Sequence, residues 1–567
     1  MLDAEQTSAH TARISMKGDG MKLHIWAAAI GLAALAACNP LKRQPPPQPP
    51  LSAAALSAHV KTLASDAFEG RAPASPGEMK TIEYLTTQFR TAGLEPGAGE
   101  EYLQAVPMLE TSVTNAPALS ISGPGTAQSL AFAKDWVGFS NQNASEQAWA
   151  DAPLVFVGYG VTAPERGWND YAKANIKGKI AVILINDPDF ETSPGLEGPF
   201  GGKAMSYFGR WTYKLEEAAR QGAAGALIIH ETLPAAYPWS VVTSSWSIPQ
   251  FAINDEALPR LPIQGWISGE AADAMFKRVG LNYAALKTAA QKKGFVAKPL
   301  AGLKASTNLA VSARQVISYN VAALIRGETR PNEVVIYSAH WDHLGRCPPV
   351  DGDDVCNGAL DNASGIAGLI EIARAFKAGE PPQRSVLFLA VTAEEKGLLG
   401  SAYYAAHPIF APGQTVANIN MDGMPIHGTS KDIVIVGAGK NEVEDVVVRL
   451  AGLQGRTLSP DPFPERGHYY RSDQFSFAKI GVPSVFFGGG LDLTVGGVAR
   501  GRALEDAFLE NSYHKPSDQW SDSLDFSGAA QDGQLLHDVG RELADGVAWP
   551  NWLANAEFKA AREESRP

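Results

Sequence analysis

The sequence predicts an α/β protein, a mostly parallel mixed sheet with helices on both faces, carrying an inserted β-rich module. Three observations lead there. From about residue 316, apolar strands alternate with helices, and NEVVIYSAH, SGIAGLIEIARAF, SVLFLAVTA, VANINMD, IVIVGAG and VPSVFFG follow in turn. Such alternation marks strands made parallel by helical crossovers. Between about 152 and 300 the texture differs, with the short apolar runs APLVFVGYGV, GKIAVILIND and AAGALIIH and the helical YKLEEAARQG before the last. Finally, 567 residues exceed what one hydrophobic core supports.

These elements divide the chain into an N-terminal part of the main domain at 53–135, the module at 136–305 and the rest of the main domain at 306–555. Residues 53–95 predict two amphipathic helices around a Gly/Pro-rich turn. Composition is ordinary for a globular protein, 45% hydrophobic and 19% charged. With 48 Lys+Arg against 60 Asp+Glu and no long basic run, nucleic acid is excluded as an expected partner.

The N-terminal stretch MKLHIWAAAIGLAALAACNP starts at Met21 with a lysine next to it and an apolar run from Ile25 to Ala37. That run is too short to span a bilayer but suits the h-region of a signal peptide, here residues 21–38. Leu35-Ala36-Ala37-Cys38 resembles a bacterial lipobox, which implies a lipidated Cys38 and makes residues 1–20 an extension ahead of the true start. Asn39 next to it implies the periplasmic side of an outer membrane, with secretion as the alternative. Contact with a membrane is then expected through this anchor alone. Residues 39–52, beginning NPLKRQPPPQPP, read as an extended proline-rich tether. Cys347 and Cys356, nine positions apart, are expected to pair in an oxidising compartment. A metal role is the rival, but histidines at zinc-finger spacing are missing.

Open α/β sheets bind ligands beyond the carboxyl ends of their strands. At those ends this sequence places His340 after EVVIYSA, Glu394 and Glu395 after SVLFLAVTA, and Asp422 after VANINM. Asp361 stands in NGALDNASG just ahead of a helix, and His514 in SYHKPSDQW. One such residue means little, since a lone histidine at a strand end is more often a satisfied polar group. Together they form a ligand set of imidazoles and carboxylates, which suits zinc better than magnesium or calcium. Three ligand carboxylates against two divalent ions leave one net positive charge, enough to favour hydroxide over water and keep Glu394 ionised. Adjacent glutamates allow one to grip metal while the other moves a proton.

AHWDHLG, NGALDNASG, TAEEKGLLGS, NINMDG and YHKPSD, in that order, resemble the di-zinc aminopeptidases of metallopeptidase clan MH. FEGRAPASPGE and GRWTYKLEEAARQGAAGALIIH resemble the N-terminal part and the protease-associated (PA) insert of one subgroup. The resemblance implies a zinc-exopeptidase fold and hydrolysis of N-terminal residues from peptides by a zinc-bound hydroxide. It implies two Zn2+ (Mn2+ or Co2+ as substitutes), with His340 and Asp422 on one ion, Glu395 and His514 on the other, Asp361 bridging through a cis peptide to Asn362, and Glu394 as general base. Asp342 is then expected to orient the His340 ring, and Tyr469 or Tyr470 to steady the oxyanion. His343 and Asp473 read as structural. The alternatives on the same scaffold are a carboxypeptidase or dipeptidase, for which Arg466, Arg471 and Arg500 are available, a single-zinc glutaminyl cyclase, and an inactive PA-type binding protein.

Overall fold

The computed structural model describes residues 51–255 and 259–566. Cys38, the signal segment and the tether up to residue 50 lie outside them. Among the described residues no helix is long and apolar enough to cross a membrane.

Helices α1 (Ala53–Leu63) and α2 (Pro76–Thr91) open the chain, each behind a capping serine. Ser52 Oγ accepts from Ala55 N–H at 3.3 Å and Ser75 Oγ from Glu78 N–H at 3.4 Å, satisfying amides that helix starts leave without partners. Leu56, Val60 and Leu63 of α1, with Leu85 and Phe89 of α2, turn inward at helical spacing. Between the two helices runs the Gly/Pro-rich turn that holds Arg71.

Strand β1 (Leu103–Val113) leads to the module, whose strands are β2 (Trp136–Phe139), β3 (Glu146–Phe156), β4 (Ile180–Leu184), β5 (Gly225–His230) and β6 (Ile263–Ser268). β3, β4, β5 and β6 pair in parallel in that order, and β2 closes the edge antiparallel to β6. Helix α3 (Trp211–Arg220) precedes β5. β7 (Lys298–Ile325) then runs 28 residues without interruption. Its first part pairs with β3 and its last part with β1. Position 305, the sequence-based border of the module, falls inside this strand.

The main sheet follows the predicted alternation: β8 (Arg330–His340), α4 (Gly365–Ala378), β9 (Arg384–Val391), α5 (Leu399–Ala406), β10 (Thr415–Asn420), β11 (Asp432–Ile435), β12 (Ser484–Gly489), α6 (Gly497–Asn511) and α7 (Ser527–Asp545). β8 is central, parallel to β9 on one side and to β10 on the other, and β12 lies parallel beyond β10. The end of β7 pairs antiparallel with β9, and β11 antiparallel with β12. The sheet is therefore mixed and mostly parallel. Along β8, Val335, Tyr337 and Ala339 join a core with Ile366 and Ile370 of α4 and Leu536 of α7, while Val334 and Ile336 join Tyr404 and Phe477 on the other face. This alternation is the strand period of two. Burial on both faces explains why these strands read as continuous apolar runs.

Between β8 and α4 the chain makes a small hairpin, Gly345–Val350 against Asp353–Cys356. Cys347 and Cys356 are joined across it, with Cα atoms 5.9 Å apart. A loop this short restricts the unfolded chain by about 2–3 kcal/mol. Replacing both cysteines by serine is expected to lower unfolding stability in urea by about that amount, read from the transition midpoint at unchanged slope.

Candidate metal centre

The carboxyl ends of β8, β9 and β10 deliver His340, Glu394–Glu395 and Asp422 to one place, as parallel pairing requires. His340 Nε2 lies 3.4 Å from Asp361 Oδ1 and 3.2 Å from Asp422 Oδ1. His514 Nε2 lies 3.3 Å from Asp361 Oδ2 and 3.2 Å from Glu395 Oε2. The two oxygens of Asp361 thus face different histidines, each with its own further carboxylate. Glu394 Oε2 stands 4.0 Å from His340 Nε2.

The loops that carry these groups are tied by main-chain bonds. Asp361 is followed by a cis peptide to Asn362. Asn362 Oδ1 accepts from the N–H of Gly365 and of Gly423, both at 2.9 Å, and its Nδ2 donates to Met421 O at 3.0 Å, locking the Asp361 loop to the Asp422 loop. Asp518 accepts from the N–H of Leu360 at 2.9 Å and of Asp361 at 3.1 Å. Arg71, 1% exposed, donates to the carbonyls of Leu63, Trp341, Asn357 and Gly358. It thereby joins the loop after His340 to the loop before Asp361. Ala393 at φ 53° and His514 at φ 58° adopt left-handed backbone. Such conformations in residues with a Cβ concentrate where surrounding structure holds a site in place.

Asp342 meets the main chain of both glutamates as well as the ring of His340. Its carboxylate accepts from Glu394 N–H at 3.0 Å and Glu395 N–H at 3.3 Å. The ring of His340 is oriented instead by the Asp342 main-chain carbonyl, which accepts from Nδ1–H at 3.1 Å, while the nearer carboxylate oxygen is 3.8 Å away. This engages Nδ1 and leaves Nε2 facing Asp361 and Asp422, the nitrogen a ligating histidine would offer. Tyr469 and Tyr470 are corrected. The Tyr469 hydroxyl donates to Ser484 O at 3.2 Å and that of Tyr470 to Glu557 at 2.8 Å, and both rings are buried in a side cluster with Phe475 and Trp552. The tyrosine beside the cluster is Tyr513, whose ring stacks on His514 with centroids 3.9 Å apart. Its place inside YHKPSD was the available signal. Glu395 Oε1 also meets His343 Nδ1 at 2.6 Å, so the second histidine of HWDH does converge on the site.

Charge divides unevenly here. Burial works against ionised Asp361, yet hydrogen bonds from His340 and His514 hold it well below the usual carboxylate range. Burial likewise opposes ionised Glu395, and so does Asp361, but His514 and His343 keep it low. Glu394 is pushed well above its ordinary value by burial and by Asp422 and Glu395, although His340 acts the other way. Burial raises Asp342 to about 6 and Asp473 to about 7. Where such environments drive neighbouring carboxyls apart, acid–base roles separate from ion-holding ones.

The donors fit zinc. Ligands on a tetrahedral ion with bonds of about 2.0–2.1 Å stand about 3.3–3.4 Å apart, matching both groups around Asp361. His340, Asp361 and Asp422 form one candidate set, and His343, Asp361 and Glu395 form a second.

The profile of peptidase family M28 matches residues 320–538, which span β8 to β12, the site loops and most of α7. Through this segment the chain is similar to peptidase family M28. A probable zinc metalloprotease of Pyricularia oryzae is 34% identical over 129 residues, 22% of this chain and 23% of that protein. Aminopeptidase NAALADL1 of Mus musculus is 30% identical over 183 residues, 30% of this chain and 23% of that protein. The match thus spans about a quarter of the length of these relatives. Among solved structures, an aminopeptidase from Aneurinibacillus sp. strain AM-1 aligns over 88% of this chain and 95% of its own at 20% identity, with a TM-score of 0.48.

The split orientation of Asp361 yields a stoichiometric expectation. Zinc per chain, measured by elemental analysis after dialysis, is expected to fall further in Asp361→Ala than in either His340→Ala or His514→Ala.

Proposed function

We propose that the chain is a metal-dependent exopeptidase that removes N-terminal residues from peptides. In this reading Asp361 would be shared between two zinc ions, with His340 and Asp422 holding one and Glu395 and His514 the other. The observation that carries it is the pair of Asp361 oxygens at 3.4 and 3.3 Å from two different histidines. When bound, zinc supplies Lewis acidity that polarises a carbonyl and eases deprotonation of water. Glu394 does the proton work. Its carboxylate takes a proton from the attacking water and returns it to the leaving amine as the peptide bond breaks. Burial and its acidic neighbours, which raise its proton affinity, support this role over that of a ligand. Tyr513, stacked on His514 and within the field of Asp361, Glu395 and Glu394, is the hydroxyl we assign to the substrate carbonyl in place of Tyr469 and Tyr470.

The wider picture belongs to the same reading. The module would be a PA domain packed against the main domain, which is supported by contacts between them. Met205 N–H donates to Pro464 O at 3.2 Å, and the Tyr207 ring lies 5.1 Å from that of Phe475. A lipid anchor at Cys38 would hold the enzyme on the periplasmic side of an outer membrane.

A second reading has a specific observation behind it. Arg210, capping α3 in the module, has a buried Nε with no hydrogen-bond partner among the described residues. Burial and the neighbouring Arg471 lower it to about 10, against the fields of Tyr237, Glu394 and Tyr513. A buried guanidinium with an unpartnered Nε, within the field of Glu394, suits a substrate carboxylate, as dipeptidases and carboxypeptidases require.

Glu394→Ala is expected to cut turnover by about 10²–10⁴-fold with both ions retained, and near-normal activity in that variant would remove the assigned role. Aminoacyl amides with free amino groups should be cleaved in preference to N-acetylated ones, with zinc, manganese or cobalt added, and chelation should stop the reaction. For the second reading, Arg210→Met should raise KM for substrates ending in a free carboxylate and leave their amides unaffected.

A further inference from the structure

His343 is fully buried, and the two-ion reading gives it no part. Its surroundings are nonetheless built around it. The main-chain N–H donates to Arg71 O at 3.3 Å. The ring meets that of His514 edge to face, centroids 5.8 Å apart. Gly358, at φ +56°, passes so close that a Cβ there would stand 2.7 Å from the imidazole. Only a glycine lets the loop before Asp361 close over the ring.

Two roles are open to an imidazole in this place. His343, Asp361 and Glu395 offer donor atoms within 4.8 Å of one another, so it could be a ligand itself. The distances argue otherwise. Atoms sharing a tetrahedral zinc ion stand about 3.3–3.4 Å apart, as His514 Nε2 does from Glu395 Oε2 at 3.2 Å. His343 Nδ1 is 2.6 Å from Glu395 Oε1, the length of a charge-assisted hydrogen bond. That bond requires the Nδ1–H form, and Nε2 is left buried without a partner among the described residues.

We propose that His343 is a positioning residue. It holds Oε1 of Glu395 so that only Oε2 is presented toward His514 and Asp361, which keeps Glu395 from swinging to a bidentate or displaced pose. The inference rests on the two-ion reading of the site.

Zinc affinity measured by chelator competition tests it, because ion binding is read independently of turnover. His343→Leu is expected to weaken one of the two sites by about 10–100-fold, the usual effect of losing an outer-shell partner, and to leave the other unchanged. His343→Asn, whose Nδ2–H can donate from nearly the same point, is expected to stay within about threefold of the unaltered chain. Full affinity in His343→Leu overturns the proposal. Equal loss in the leucine and asparagine variants also overturns it, since direct ligation or packing would then be the role. If the unaltered chain binds fewer than two ions, the two-ion reading fails first and this inference falls with it. Urea unfolding of each variant without metal separates a folding defect from a lost hydrogen bond.

Discussion

The cost of crowding negative charge governs this part of the molecule. Asp342, Asp361, Glu394, Glu395 and Asp422 converge on one spot, and Asp342, Glu394 and Glu395 are largely shut off from water. Desolvation and mutual repulsion both disfavour ionised carboxylates there. The cluster solves this by giving each acid a different counterpart. Asp361 and Glu395 keep their charge against imidazole donors, and Asp342 is held by two backbone N–H groups. Glu394 alone lacks a hydrogen-bond donor comparable to these and takes up a proton most readily. Divalent cations are the natural complement to such a set, since they replace the shared protons and satisfy several oxygens at once.

Convergence depends in turn on backbone groups that are not ligands. Asn362 binds amides of two loops, Asp518 binds those of Leu360 and Asp361, and Arg71 gathers four carbonyls from three segments. Buried main-chain groups must find partners, and here they find side chains that also set where the ligands point. Arg71 serves twice. Burial lowers it to about 10, while the acids Asp518, Asp361, Asp342 and Glu395 favour its charge, so a cation lies behind the carboxylates.

The fold was largely legible because its signals are local. The apolar runs around Val335, Leu387 and Ile419 announced strands buried on both faces, and the amphipathic pattern of 53–95 announced two helices. Among the five ligand candidates, His340, Glu395 and Asp422 stood out because each follows a strand end, and Asp361 and His514 because of the motifs around them. Other assignments depended on orientation, which local pattern does not encode. Tyr469 and Tyr470 have the right chemistry, but their hydroxyls are drawn to Ser484 and Glu557, residues near them only in space. His343 read as structural since nothing in HWDH says which way the second ring turns. Arg210 escaped notice altogether, lying 184 positions from Glu394 in the chain.

By itself, then, the sequence determined the alternating strand–helix order, the residue types at the strand ends, and the chemistry those types permit. Tertiary structure decided which oxygen of Asp361 faces which histidine and which nitrogen of His340 is free. It also decided which hydroxyls are already engaged. The physical reason is that residue identity sets what a group can donate or accept, whereas direction is chosen by whichever distant partner the folded chain brings within hydrogen-bond reach.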